Sequence, residues 1–304
     1  MADADPRPVS GLRLALGLGA GIVAISCASV FIRLAQAQGM PALSIAAWRL
    51  AVACGVLLPW AMIRCRGEIR SIPLKEWGLL GASGVCLGLH FATWIASLDY
   101  TSVASSVVLV SLGPVFVGAG SWVLLGERIG PATVAGLALA TLGSVVIGWG
   151  DFGHGGDHLF GDLLALAGAL FVAAYLMIGR RARGHLSLTA YIAVVYGVAM
   201  VVLLAVVGAS GQPMLGFTPY AYAWAAALGL IPQLVGHSTL NWALRYLSAT
   251  LVSVVTLAEP VGSSLLAYLV LRESVTPATA LGGMVVLAGI GLVSRAEGAG
   301  PQTP

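Results

Sequence analysis

Charge is what this sequence has least of. Only 9% of its 304 residues are Asp, Glu, Lys or Arg, against about 25% in an ordinary soluble domain. With 59% hydrophobic residues and a mean hydropathy of +0.95, a water-facing surface cannot be assembled from it, so the bilayer is the solvent. Cysteine is sparse as well. Cys27, Cys54 and Cys86 fall inside apolar runs, Cys65 lies in an arginine-rich loop, and no Cys-x-x-Cys pair occurs, which argues against a disulfide framework or a zinc site. A phosphate-binding P-loop is missing, which excludes ATP-driven work by this chain alone. Gly17, Gly19 and Gly21 mimic a dinucleotide fingerprint, but no strand precedes them and no ribose-binding acid follows, so close helix packing explains them better. The formal charge of +3 is spread over loops, leaving no basic patch for nucleic acid, and nothing in the sequence calls for a cofactor.

What remains is a series of apolar runs. A helix needs about 20 such residues to cross about 30 Å of hydrocarbon. On that basis spans are predicted near 12–35, 42–63, 76–98, 101–125, 131–149, 160–179, 187–208, 219–242, 247–271 and 277–295, parted by Gly and Pro turns such as Gly39-Met40-Pro41 and Gly130-Pro131. The expected class is an all-α integral membrane protein with ten transmembrane helices. Cytoplasmic loops should hold the arginines. With the N-terminus inside, the inner segments take Arg7, Arg13, Arg64, Arg66, Arg70, Lys75, Arg128, Arg180, Arg181, Arg183, Arg245 and Arg295, and the outer ones only Arg33 and Arg272. Both termini are then cytoplasmic, in a bacterial-type inner membrane. The first run is longer than the apolar core of a signal peptide, and Arg33 interrupts the approach to Ala35-Gln36-Ala37, so it reads as a span.

One internal register stands out. When Tyr100 is laid on Tyr246, Ser102 meets Ser248, Pro114 meets Pro260, Leu125 meets Leu271 and Glu127 meets Glu273, and Pro131-Ala132-Thr133 meets Pro277-Ala278-Thr279. Gly136 then falls on Gly282 and Gly143 on Gly289. Apolar segments match one another by composition, but prolines, glutamates and a Pro-Ala-Thr run do not. The repeated unit holds five spans, an odd number, so its second copy enters the membrane from the opposite side. Two inverted five-helix repeats are therefore expected, a construction used by secondary transporters. The predicted organisation is a tail (1–11), a first repeat (12–150), an outer linker (151–159), a second repeat (160–296) and a tail (297–304).

The segments from Tyr100-Thr101-Ser102-Val103-Ala104 through Gly113-Pro114, then Leu125-Gly126-Glu127-Arg128, and Leu257-Ala258-Glu259-Pro260 with Leu271-Arg272-Glu273, resemble the EamA repeat of the drug/metabolite transporter superfamily. Trp48-Arg49 and Ser26-Cys27-Ala28-Ser29 are similar to weaker marks of the same family. The resemblance implies a ten-helix carrier, most often an exporter of amino acids or related metabolites. It speaks to architecture far more than to substrate.

Within the spans a few residues stand apart. Glu259 lies near the middle of the ninth, where an ionised carboxylate is expensive; it is either a protonatable coupling residue or a structural hydrogen-bonding group beside Pro260. Arg49 lies some way inside the second span and either reads a solute carboxylate or neutralises Glu259 or another buried group. His90, Trp94 and Ser97 share one helical face, as do His237, Asn241 and Arg245, with Trp242 adjacent. Both stripes suit a cavity lining or interhelical hydrogen bonds. Trp48, Trp94, Tyr175, Tyr191, Tyr196 and Trp242 are candidate pocket walls or packing residues. Pro114 and Pro260 are equivalent hinges or static kinks. Asp151, His154, Asp157 and His158 sit among glycines that fit a solvated turn better than a metal site.

The leading function is a secondary carrier exporting amino acids or similar small metabolites by alternating access, with H+ as the candidate coupling ion at Glu259. A nucleotide-sugar or sugar-phosphate carrier would need several cationic donors where the interior offers Arg49. A membrane-embedded enzyme, the alternative of a different class, lacks a nucleophile with a base in reach. Expected partners are lipid and a small solute, in a monomer or a homodimer. A labelled tag placed in 151–159 is expected to react from the outer face of intact cells; reaction from the cytoplasmic face alone would reverse the orientation.

Overall fold

The structure, a computed structural model, describes residues 9–101, 106, 109–124, 129–148, 158–272 and 277–298, and every regular element among them is a helix. Helix α1 (Gly11–Gln36) starts at Ser10, whose hydroxyl accepts the Arg13 N–H. It is followed by α2 (Ala42–Arg64), short α3 (Arg66–Arg70), α4 (Leu74–Ser97), α5 (Gly113–Leu124) and α6 (Pro131–Gly148). Next come α7 (His158–Ala182), α8 (Leu188–Ser210) and α9 (Pro219–Leu228), which runs through a π-helical stretch, Gly229–His237, into α10 (Ser238–Ala243). The chain ends with α11 (Ala249–Thr256), α12 (Glu259–Leu266), a π-helical turn (Ala267–Leu271) and α13 (Pro277–Gly298). Ser187, Thr218 and Ser248 cap α8, α9 and α11 with side-chain oxygens, and Gly211 closes α8 with a left-handed φ of 70°.

Six of these segments are long and apolar enough to cross a membrane: Gly11–Gln36, Ala42–Arg64, Leu74–Ser97, Leu159–Ala182, Leu188–Ser210 and Ala249–Val270. Their outward faces carry Leu16, Ile63, Leu159 and Val201, all more than half exposed. In water such a surface would associate; against acyl chains it is matched to its solvent. The inner faces bury a core around Leu50, Phe91, Ile95, Tyr175, Tyr191 and Tyr196.

The interval between Tyr100 and Tyr246 governs helix boundaries as well as sequence. Ala42–Arg64 and Leu188–Ser210 are both 23 residues long and stand one such interval apart. The fourth and ninth predicted spans are interrupted at matching places, by a turn at Ser111-Leu112 before α5 and by one at Leu257-Ala258 before α12. Packing follows the same interval: α4 lies along α7 and α8, while its counterpart, α9 with its π-helical extension, lies along α1 and α2.

Helices α6 and α13 meet through glycines placed crosswise. A Cβ on Gly136 would stand 2.9 Å from the Gly289 carbonyl oxygen, and one on Gly143 would stand 2.7 Å from the Gly282 carbonyl oxygen. One index rises as the other falls, so the two helices are antiparallel, and each glycine meets the counterpart of the other. Backbone approach this close is possible only without side chains. Replacing Gly143 with Val is expected to cost about 1–3 kcal/mol by overpacking, read as a lower thermal unfolding midpoint in detergent. Gly291→Leu, where a Cβ meets nothing within 4 Å, should leave the midpoint in place.

Candidate functional site

The site is organised by the π-helical stretch. Pro232 has no N–H to donate, and the wider turn around it absorbs the lost hydrogen bond. Gly229 lets this segment press on α2, since a Cβ there would stand 2.7 Å from the Arg49 carbonyl oxygen. Gln233, His237 and Asn241 follow at intervals of four residues and present one polar edge toward α2, α4 and α7.

Arg49 is 1% exposed. Its Nε donates to Gln233 Oε1 at 2.8 Å, and its guanidinium carbon lies 4.2 Å from the centre of the Phe91 ring. A desolvated cation on an aromatic face gains about 2 kcal/mol. Among the described residues no carboxylate oxygen stands within 4.0 Å of Arg49. The alternative in which Glu259 neutralises Arg49 therefore does not take the form of a direct ion pair. Phe91 in turn meets the His237 ring edge-on, with centroids 5.3 Å apart.

Asn241 is fully buried between tyrosines. Its Nδ2 donates to the His237 carbonyl at 2.8 Å, to the Tyr175 hydroxyl at 2.5 Å and to the Tyr196 hydroxyl at 3.3 Å. Tyr196 also meets Ser238 Oγ at 3.3 Å, and Tyr191 pairs with Ser83 at 2.9 Å. The helix end behind Asn241 is clasped by two arginines. Arg183 Nε donates to the Asn241 carbonyl at 3.1 Å, and Arg180 donates to the carbonyls of Leu244 and Arg245 at 2.9 and 3.3 Å. These satisfy carbonyls that a helix C-terminus leaves open. Arg183 is 2% exposed, and burial lowers its pKa to about 10.

His90 donates Nδ1–H to the Gly168 carbonyl at 2.9 Å and stacks on Trp94 at 5.9 Å, so it ties α4 to α7 at the border of the cluster. The Trp94 Nε1 is buried without a partner. Trp242 stands apart from this group. It packs edge-on against Tyr246 and lines a peripheral groove of about 550 Å³ with Ser10, Arg13, Leu16 and Thr239. Trp48 is likewise elsewhere: its Nε1 donates to the Met214 carbonyl at 2.9 Å, while Ser44 Oγ donates to Pro213 O at 2.7 Å.

Glu259 opens α12 immediately after the Leu257-Ala258 turn and is half-buried. Its carbonyl accepts from Ser26 Oγ at 3.4 Å, and Ser263 Oγ donates to the Ser26 carbonyl at 3.1 Å, so α1 and the broken helix hold each other. Pro260 and Pro114 are each the second residue of a new helix, where a missing N–H costs nothing, rather than kinks within one. The counterparts of Glu259 and Ser26 are Gly113 and Val172, which also meet: a Cβ on Gly113 would lie 3.3 Å from Val172. Arg49 has Val195 as its counterpart. The same crossing is thus apolar in one copy and polar in the other.

Gln233, the hydrogen-bonding partner of Arg49, is the residue the sequence reading did not single out. The available signal was its place four residues before His237, extending the stripe through Asn241. Asp151, His154, Asp157, Glu127 and Glu273 lie outside the described residues, and among the described residues no group of His, Cys, Asp or Glu is arranged to hold a metal ion.

Comparison with known proteins agrees with this layout. An "Uncharacterized transporter" of Archaeoglobus fulgidus is 26% identical over 277 residues, 88% of this chain and 92% of that one. A "Riboflavin transporter" of Vibrio cholerae is 25% identical over 152 residues, 48% of either chain. A solved crystal structure superposes with a TM-score of 0.78 at 22% identity, covering 95% of this chain and 98% of its own, which fixes a shared fold. The EamA-like transporter family profile matches residues 13–149 and again 159–295, two copies separated by the same interval as Tyr100 and Tyr246. A helical membrane transporter rather than an enzyme is what these matches describe, and the chain belongs to the EamA-like transporter family.

Proposed function

We propose that the chain is a secondary carrier for amino acids or similar small carboxylates, exporting them across the cytoplasmic membrane by alternating access between two inverted five-helix repeats, ten spans in all. The observation that carries the solute class is Arg49: a buried guanidinium, oriented by an amide and a ring, with no carboxylate within 4.0 Å among the described residues. A planar fork held in a low-dielectric interior binds a carboxylate with charge-assisted hydrogen bonds. Lysine in its place would keep the charge and lose both the fork and the stacking.

The crosswise glycine contacts of α6 and α13 support the inversion, because a two-fold axis in the membrane plane brings each element onto the counterpart of its partner. Polar contacts at both ends of the bundle suit a carrier that closes one side at a time. At one end Glu68 accepts from Ser187 N and Oγ, and Glu76 pairs with His185 at 2.9 Å. At the other, Thr218 donates to Gln38 and the 213–214 backbone is held by Ser44 and Trp48. Each bond is worth about 0.5–1.5 kcal/mol, small enough to exchange with solute binding.

Glu259 is the proposed proton-coupling residue. It is an acid at a helix break where the other copy has Gly113, and it makes no direct pair with Arg49, so its protonation is free to respond to occupancy of the guanidinium.

Two measurements on purified protein in vesicles test this reading. With a panel of labelled amino acids, together with riboflavin and a sugar phosphate, flux is expected for at least one amino acid and to fall at least tenfold in Arg49→Gln and in Arg49→Lys. No flux for any panel member would sink the carrier assignment. In Glu259→Gln, flux is expected to lose its dependence on pH, while a wild-type-like pH profile would reduce Glu259 to a structural group.

A further inference from the structure

The polar edge of the π-helical segment holds three buried atoms that find no partner in the protein, Asn241 Oδ1, His237 Nδ1 and Gln233 Nε2, of which the last is a donor on the residue already bonded to Arg49. The orientation of the Asn241 amide is fixed. Its Nδ2 faces the His237 carbonyl, which can only accept, so the nitrogen cannot exchange places with the oxygen. What is left over is an acceptor. In the neutral imidazole protonated on Nε2, His237 Nδ1 is an acceptor too. Leaving such a group unpaired is costly, and here the two stand four residues apart on one helix, which places them on one face.

These residues are linked to the guanidinium through a ring. Arg49 lies on Phe91, Phe91 lies against His237, and His237 shares its carbonyl with Asn241. Arg49 also bonds Gln233, one turn before His237 on the same segment. The edge is therefore directional, with the Arg49 guanidinium and the free Gln233 Nε2 donor at one end and, with the His237 proton on Nε2, acceptors at the His237–Asn241 end. Tyr175 and Tyr196 pin the amide from the far side, and Arg183 holds the Asn241 backbone, so the acceptor is preorganised.

We infer that Asn241 Oδ1 and His237 Nδ1 form an amine-reading subsite, which makes the solute a molecule with both a carboxylate and an N–H donor and makes Asn241 a specificity-determining residue. This rests on the reading of Arg49 as the carboxylate site and adds which carboxylates are accepted. An ammonium group satisfies both acceptors. A carboxylic acid lacking the amino group binds to Arg49 but leaves the acceptors desolvated and unpaired, and a site built on hydrogen bonds rejects such an analogue strongly.

The test uses the full-length protein in detergent and measures ligand-induced thermal stabilisation. The strongest binder among the twenty standard amino acids is compared with its deaminated carboxylate and with its carboxamide. Wild type is expected to prefer the amino acid over the deaminated acid by at least tenfold. In Asn241→Leu that preference should collapse to near parity, and in Asn241→Asp, which retains an acceptor, it should persist. Should Asn241→Leu fail to fold, Asn241→Asp and His237→Phe supply the comparison, the latter losing at least half of the preference on a logarithmic scale. A preference unchanged in these variants, or wild type binding both acids equally, would overturn the amine subsite while leaving Arg49 and the carrier reading in place. Equal binding of the amino acid and its carboxamide would instead remove Arg49 as the carboxylate site and the inference with it.

Discussion

Backbone satisfaction in an apolar interior is the constraint from which the rest of the molecule follows. Where water is excluded, each N–H and C=O must find a partner within the protein, so a span can be interrupted only where side chains or a neighbouring helix take over. Among the described residues the chain departs from the α-helical ladder at Ser111-Leu112, at Leu257-Ala258 and across the π-helical stretches 229–237 and 267–271. Ser26 and Ser263 bridge the second break, and the Arg49–Gln233 bond and the two tyrosines on Asn241 brace the stretch 229–237. Polar side chains gather at these departures, and those beside the stretch 229–237 form the candidate site. The candidate site thus coincides with the places where the helical ladder is incomplete, where polar atoms in the interior are tolerated.

A repeated scaffold carries an unrepeated chemistry. Helix bounds, turn positions and glycine crossings recur at one interval, and packing recurs with them. The charged and amide groups do not: Arg49 answers to Val195, Glu259 to Gly113, Ser26 to Val172 and His237 to Phe91. His237 and Phe91 touch, which sets a polar ring against an apolar one at the meeting of the two copies. Architecture is shared because both halves must pack the same way. The buried charge is not shared, since duplicating a buried cation would add a second desolvation cost of several kcal/mol.

Much of this was written in the sequence, and for identifiable reasons. Helix positions were legible because apolar run length and Gly–Pro punctuation are one-dimensional quantities, and the repeat was legible because proline, glutamate and the Pro-Ala-Thr run are not interchangeable with Leu or Val. The family resemblance rested on the same motifs. Arg49, His237, Asn241 and Glu259 stood out because polar groups are rare in apolar spans. Their partners were not legible. Gln233 was passed over, the approach of Trp242 to Gly17 rather than to the central cluster was invisible, and Arg49 found a ring and an amide in place of a carboxylate.

By itself, then, the sequence determined the solvent, the helices, the duplication and which side chains are out of place in lipid, all properties of composition and order along the chain. Tertiary structure alone decided which of those side chains meet. Contacts across 184 residues, such as Arg49 to Gln233, depend on how helices cross and on where glycines let backbones close in, and no local pattern encodes that distance.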